Sequence, residues 1–101
     1  MIKYLLFYTR PQDPVAFKRH YLQTHLPLCR QIPGISRMSY SFEPETRGRG
    51  PSWFCVFELE CADEEALAIA LNSPEARAAA DDLPNYTSEK PFAIICRPAP
   101  V

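Results

Sequence analysis

Four short apolar runs along the chain predict four β-strands. Each run is rich in β-branched or aromatic residues and is bounded by turn-forming residues. The predicted strands span residues 2–9, 35–43, 52–60 and 91–97. The first, third and fourth runs are apolar on both faces, which indicates that both faces of these strands are covered. Within the third run, Trp53 is expected to share a face with Cys55, and Phe54 to lie on the opposite face.

The first predicted helix contains a proline that a regular helix does not accommodate. Asp13 followed by Pro14 is typical of a helix start, because the carboxylate caps free amides and proline suits the first turn. The helix runs from there toward residue 31, but Pro27 has no amide hydrogen for the carbonyl four residues earlier. We therefore predict an interruption between Thr24 and Pro27, with His25 at the interruption.

The second predicted helix is divided into two segments. Asp63 caps its start, and acidic residues follow in the first turn, where the helix dipole favours them. Ser73 followed by Pro74 is a second start signal, so a new segment runs from Pro74 to about Asp82.

The resulting order is β-α-β-β-α-β, which predicts an α+β, ferredoxin-like fold with a four-stranded antiparallel sheet. Both helical regions cover one face of the sheet, and the other face has no helix to cover it. An apolar face of that size is unusual on a soluble monomer. We therefore predict a single domain over residues 1–101 that forms a homodimer through this sheet face, giving a dimeric α+β barrel.

Composition and charge disfavour several classes of function. The 101 residues have a net charge of -1 without a basic block, so a nucleic-acid partner is not expected. No apolar run reaches the roughly 20 residues of a membrane span, and the short apolar N-terminus lacks a signal-peptide cleavage pattern, so no membrane partner is expected either. The four cysteines form no C-x-x-C pair, which favours reduced thiols in a cytoplasmic protein over a metal or dithiol site.

Both histidines lie in one helical stretch, residues 17–28. Phe17, Tyr21 and His25 are spaced four apart, so they stack along one face of a helix. This stripe is compatible with plain core packing. It is equally compatible with the wall of a small-molecule pocket that holds an acid/base group.

Two sequence motifs resemble those of the EthD-like proteins, a family within the dimeric α+β barrel superfamily. The first is F-x-x-H-Y-x-x-x-H-x-P-L followed by I-P-G, and the second is L-P-N-Y-T-x-x-x-P before the last strand. The resemblance covers nearly the whole chain. Its motif positions are Phe17, Tyr21, His25, Pro27, Pro84, Asn85, Tyr86 and Thr87.

The resemblance implies a homodimeric ferredoxin-like fold with a cavity between helices and sheet. The sequence has no cofactor motif and no haem-ligand context, so no cofactor is expected. EthD-like proteins are linked to oxidative degradation systems. Superfamily relatives include cofactor-free monooxygenases, polyketide cyclases and lactone isomerases. A cofactor-free oxidoreductase of the monooxygenase type, or a lyase or isomerase, is therefore expected if the chain is an enzyme.

We predict His25 as the catalytic base and Tyr21 or Tyr86 as donor to a developing oxyanion. Phe17, His20 and Asn85 are predicted to bind substrate. Structural roles remain open for three of these residues. His25 is also suited to holding a backbone carbonyl, and Asn85 is suited to bonding its own backbone. His20 is also suited to a position at the edge of the contact between the helix and the sheet. The two histidines are expected to point to different faces, which argues against a metal site.

Three functions fit the sequence: a cofactor-free enzyme acting on a small, apolar, oxygenated compound, a protein that binds or sequesters such a compound, and an interaction module. Catalysis requires the acid/base groups to meet in one cavity. Binding requires only the cavity, whereas an interaction module has a filled core at this place.

Overall fold

A computed structural model describes all residues from Met1 to Val101. The strands are β1 (Ile2–Tyr8), β2 (Arg37–Phe42), β3 (Cys55–Cys61) and β4 (Phe92–Cys96). The helices are α1 (Pro14–His20), α2 (Leu26–Cys29), α3 (Glu64–Leu71) and α4 (Pro74–Asp82). A π-helical turn, Tyr21–His25, joins α1 to α2, and a 3-10 turn, Leu83–Asn85, follows α4. None of the helices is long and apolar enough to span a membrane.

The sheet has the strand order β2-β3-β1-β4, and all of its neighbouring strands are antiparallel. β1 lies in the centre, where Tyr8 pairs with Cys55 of β3 and Phe7 pairs with Phe92 of β4. The core lies between the helices and one face of this sheet. The predicted ferredoxin-like α+β fold is therefore confirmed.

The helix starts form where the sequence places capping residues. The Asp13 carboxylate accepts a hydrogen bond from the Ala16 amide at 3.0 Å, and the Asp63 carboxylate accepts one from the Ala66 amide at 2.8 Å. The Ser73 hydroxyl caps α4 in the same way. Each cap satisfies an amide that has no partner within the helix.

The first helical region is widened, and it is not broken. The Leu26 amide donates to the carbonyl of Tyr21, five residues earlier, which is the hydrogen bond of a π turn. The irregularity therefore begins earlier than the predicted interruption between Thr24 and Pro27, and His25 is its last residue. The widened turn relieves the clash that the Pro27 ring makes with the preceding turn of a regular helix.

The approach to β3 differs from the prediction. Regular alternation begins only at Cys55, and Phe54 is also buried on the helix side, with its ring centroid 5.0 Å from that of Phe17. Trp53 packs against Phe7 on the opposite face of the sheet, at 5.3 Å. The predicted faces of Trp53 and Phe54 were therefore wrong, because the strand period does not extend through residues 53 and 54.

The sheet face without helices, here called the open face, is apolar toward β4. Phe92 and Ile94 are 60% and 47% exposed, and Phe7 and Trp53 pack beside them. At the other end of the face, Lys3 pairs with acidic residues of β3. The open face thus combines a large apolar patch with a charged margin.

Gly34 is required at the turn before β2. Its φ of +78° lies in the left-handed region, and a Cβ atom there would lie 3.0 Å from the Ala66 carbonyl oxygen. Gly48 has a similar φ of +72° but open space around it. Backbone strain should lower the free energy of unfolding by about 1 kcal/mol in each of Gly34→Ala and Gly48→Ala. Gly34→Ala should lower it by about 1–3 kcal/mol more, because its new methyl group lies too close to the Ala66 carbonyl. Urea unfolding measures both losses, and equal losses would contradict the predicted contact.

Candidate active site

A cavity of about 280 Å³ lies between the helices and the sheet. Its walls are mainly apolar side chains of the sheet, α2, α4 and the segments that follow them, among them Leu6, Cys29, Phe57, Leu59, Ala79 and Leu83. The wall groups with strong hydrogen-bonding or ionisable atoms are Tyr4, Tyr8, His25 and Lys90. The cavity that the family resemblance implied is therefore present, and its interior is apolar.

His25 borders this cavity and is fixed by a carboxylate. As the last residue of the π turn it is 3% exposed, and its Nδ1 atom lies 2.9 Å from Oδ2 of Asp82. Asp82 is the last residue of α4 and is also buried. This bond makes Nδ1 the protonated nitrogen if the carboxylate is ionised, and it leaves Nε2 without a protein partner.

The same carboxylate binds His20 and Asn85. The Nε2 atom of His20 lies 2.9 and 3.0 Å from the two oxygens of Asp82, and the Asn85 side-chain amide donates to Oδ1 at 2.9 Å. Asn85 therefore bonds another side chain and does not serve its own backbone. Asp82 joins three polar residues from two separate parts of the chain.

The expectation that His20 and His25 point to different faces was wrong. Residues five apart are separated by about 140° around a regular α-helix. In a π turn, residues five apart lie on successive turns and are hydrogen-bonded neighbours. The widened turn thus brings both rings onto Asp82. Even so, no three His, Cys, Asp or Glu side chains are arranged to hold a metal ion.

The charges of the site follow from burial and hydrogen bonding. Burial lowers the pKa of His25, and this effect outweighs the opposing attraction of Asp82. Burial alone would raise the pKa of Asp82, but hydrogen bonds from Asn85, His20 and His25 outweigh burial and lower it. Near neutral pH the pair is therefore a carboxylate bonded to a neutral imidazole, whose Nε2 lone pair is free to accept a proton.

The predicted tyrosines occupy different positions. The Tyr86 ring stacks on His20 and lies 4.7 Å from the His25 ring, and its hydroxyl bonds that of Tyr8 at 2.8 Å. Tyr8 borders the cavity. Tyr21 is fully buried against His25, and its hydroxyl has no hydrogen-bond partner. Burial raises the pKa of Tyr8, Tyr21 and Tyr86, so all three hydroxyls keep their protons.

Phe17 packs beside the site, next to Tyr21. Its ring stacks on Tyr21 with centroids 5.4 Å apart, as the four-residue spacing predicted. Together with Asn85 and Tyr86 it borders a second, more polar cavity of about 270 Å³ near the start of α1. The structure therefore joins His20, His25 and Asn85 through Asp82, with Tyr86 packed on the two imidazoles. Phe17 and Tyr21 belong to the adjoining aromatic cluster.

Sequence reasoning missed Asp82 and Tyr8. A signal for Asp82 was present, since two acidic residues end α4, where the helix dipole disfavours negative charge. Such an arrangement indicates that the carboxylate has another partner. Tyr8 resembles any aromatic residue of a buried strand, so its sequence position offers no comparable signal.

The family model of the EthD domain matches residues 9–90, and the chain belongs to this family. An uncharacterized 11.0 kDa protein from the thcB–thcC intergenic region of Rhodococcus erythropolis is 33% identical over 88 residues, which are 87% of this chain and 85% of that protein. The crystal structure of an EthD family protein from Bacillus halodurans is 27% identical, with a TM-score of 0.86, and covers 98% of this chain and 99% of its own.

Two more distant structures share the fold. A dimeric ferredoxin-like protein of unknown function from Bacteroides fragilis has a TM-score of 0.63 at 19% identity and covers 94% of this chain and 92% of its own. A mutant of the cofactor-independent oxygenase SnoaB from Streptomyces nogalater has a TM-score of 0.66 at 17% identity and covers 99% of this chain and 94% of its own.

Proposed function

We propose that this chain is a cofactor-free acid/base enzyme of an oxidative degradation pathway, which removes a proton beside a carbonyl in a small, apolar, oxygenated compound. The observation that carries the proposal is the 2.9 Å bond between His25 Nδ1 and Asp82 at the wall of the apolar cavity. A buried imidazole held in one tautomer by a carboxylate is the arrangement that general-base catalysis needs.

In this mechanism, Nε2 of His25 takes the proton from the carbon next to the carbonyl. The imidazole becomes an imidazolium, which the Asp82 carboxylate stabilises. The electron pair of the broken C–H bond moves into the carbonyl, which becomes an enolate. With the Tyr86 hydroxyl as donor in its hydrogen bond to the Tyr8 oxygen, the Tyr8 hydroxyl donates a hydrogen bond to the enolate oxygen.

The cavity size supports a small substrate. Ligand pockets commonly measure about 300 to 1,000 Å³, so a cavity of about 280 Å³ suits a compound with one ring. Isomerisation, elimination and the reaction of an enolate with oxygen all begin with this proton removal. The proposal concerns that shared step, and the oxygenase with the same fold supports it as an example of cofactor-independent chemistry.

The test is hydrogen exchange in deuterium oxide. A panel of cyclic ketones is incubated with the purified protein, and loss of the proton signals beside each carbonyl is followed by NMR. We expect faster exchange than in buffer for at least one member of the panel. If ketones bind in the cavity but none of them exchanges faster than in buffer, the chain is a binding or sequestering protein and the enzyme proposal is wrong.

We also propose that the chain is a homodimer through the open face. Its exposed residues Phe92 and Ile94 continue an apolar patch, and similar structures are described as dimeric. Light scattering should give twice the chain mass of 11.5 kDa. Phe92→Glu should reduce the mass to that of one chain, whereas Ile69→Glu on the exposed side of α3 should not. A wild-type monomer at micromolar concentration would contradict the proposal.

The extent of the domain, residues 1–101, and a cytoplasmic location stay predictions.

A further inference from the structure

The cavity is bordered by one side chain that is charged near neutral pH, in addition to the neutral imidazole of His25. Lys90 lies between the 3-10 turn and β4, and it is exposed to solvent. His25 is almost completely buried, so the two residues mark the open and the closed parts of the same cavity. The wall between them is mainly apolar.

No carboxylate of the chain forms an ion pair with Lys90. It takes part in none of the ion pairs of the structure. The adjacent Glu89 accepts a hydrogen bond from the Thr9 hydroxyl at 2.9 Å, and Asp82 is occupied by the histidines and Asn85.

The remaining wall groups carry no compensating negative charge. Burial raises the pKa of the Cys29 thiol to about 11, so this thiol is neutral. Lys90 therefore places a positive charge that has no ion-pair partner at the open end of the cavity.

We propose that the substrate is an organic anion, with an apolar ring-sized body inside the cavity and a carboxylate at the cavity mouth beside Lys90. This inference rests on the proposed function for the position of the reacting carbon near His25. A carboxylate is costly to place against apolar walls without a partner, but it keeps its contact with water at the exposed ammonium group. The charge of Lys90 then selects acids over neutral compounds of the same shape and orients them with the body toward His25.

The test compares two ligands of equal shape, 4-propylbenzoate and 4-propylbenzyl alcohol, by isothermal titration calorimetry with the intact protein. We expect the wild type to bind the acid about three- to tenfold more tightly than the alcohol. Added salt should weaken this preference, because the contact lies at the exposed end of the cavity.

Three variants test whether Lys90 causes the preference for the acid. Lys90→Gln should remove the preference for the acid, and Lys90→Arg should keep it. Arg49→Gln removes one positive charge from an exposed loop away from the cavity and should leave the preference unchanged.

The results separate this inference from the proposed function. Equal binding of both ligands by the wild type, or a preference that survives in Lys90→Gln, would overturn the anionic substrate and leave the acid/base proposal standing. Binding of neither ligand by the wild type would overturn the inference. Failure of ketone exchange alone, with the acid preference intact, would overturn only the catalytic role.

Discussion

Replacing His25 by Asn should lower catalysed exchange or turnover by about 10²- to 10⁴-fold, the usual contribution of a general base. The Asn side-chain amide lies where Nδ1 lies in histidine, so it can still donate to Asp82. It has no nitrogen lone pair to replace Nε2. Ligand affinity should stay within several-fold of the wild type, because only one side chain of the cavity wall changes.

The control for this variant is His20→Gln. His20 also bonds Asp82, but it does not border the cavity, so its loss should alter activity far less. Thermal unfolding of both variants shows whether the fold is intact. A folded His25→Asn protein that keeps wild-type turnover would show that His25 is not the base, and loss of binding with turnover retained would make it a positioning residue.

Asp82→Asn should lower both activity and stability. If the new amide group faces His25, it donates to Nδ1 and shifts the imidazole proton to Nε2, so the lone pair no longer faces the substrate. A change of tautomer of this kind costs up to about 10⁴-fold in activity. The lost charge-assisted hydrogen bonds should reduce the free energy of unfolding by about 1.5–3 kcal/mol.

Asp81→Asn is the matched control for this loss. Asp81 is exposed, and its ion pair with Arg77 is long, at 3.7 Å. Its replacement should change stability by less than about 1 kcal/mol. Urea unfolding and the exchange assay measure both variants, and similar values for Asp81→Asn and Asp82→Asn would refute the role assigned to Asp82.

The two pKa shifts also fix how stability depends on pH. Folding lowers the pKa of His25 below its usual value of 6.5, so His25 is protonated at a higher pH in the unfolded chain than in the folded one. Stability therefore falls as pH drops below about 6.5. The pKa of Asp82 is lowered from 3.8, so a further loss follows as pH falls below that value. In Asp82→Asn the second contribution is absent, so the additional loss below pH 3.8 should disappear, while the fall below about 6.5 should remain.

Much of the fold was predictable because its signals are local. The capping residues Asp13, Asp63 and Ser73 act on amides within their own first turns, and the strand period acts on consecutive residues. The faces of Trp53 and Phe54 were not predictable in this way. Their positions depend on contacts with distant residues, Phe7 and Phe17, at the irregular entrance to β3.

The candidate site was predicted only in part, for the same reason. His25 was predicted as a site residue because it shares one helical face with aromatic residues at four-residue spacing. Its bond to Asp82 depends on a π turn and on the packing of α4, 57 residues away along the chain. Tyr8 borders the cavity, while Tyr21 is buried beside it, and this difference depends on which side chains the packed helices cover.

The most direct test of the account is the protonation state of His25, which NMR of isotope-labelled imidazole nitrogens measures. The chain has only two histidines, and His20→Gln assigns the remaining signals. Near neutral pH we expect a neutral His25 ring with its proton on Nδ1, and an Nε2 signal that shifts when 4-propylbenzoate is added. A proton on Nε2, or an Nε2 signal that a bound ligand leaves unchanged, would contradict the assignment of His25 as the base in this cavity.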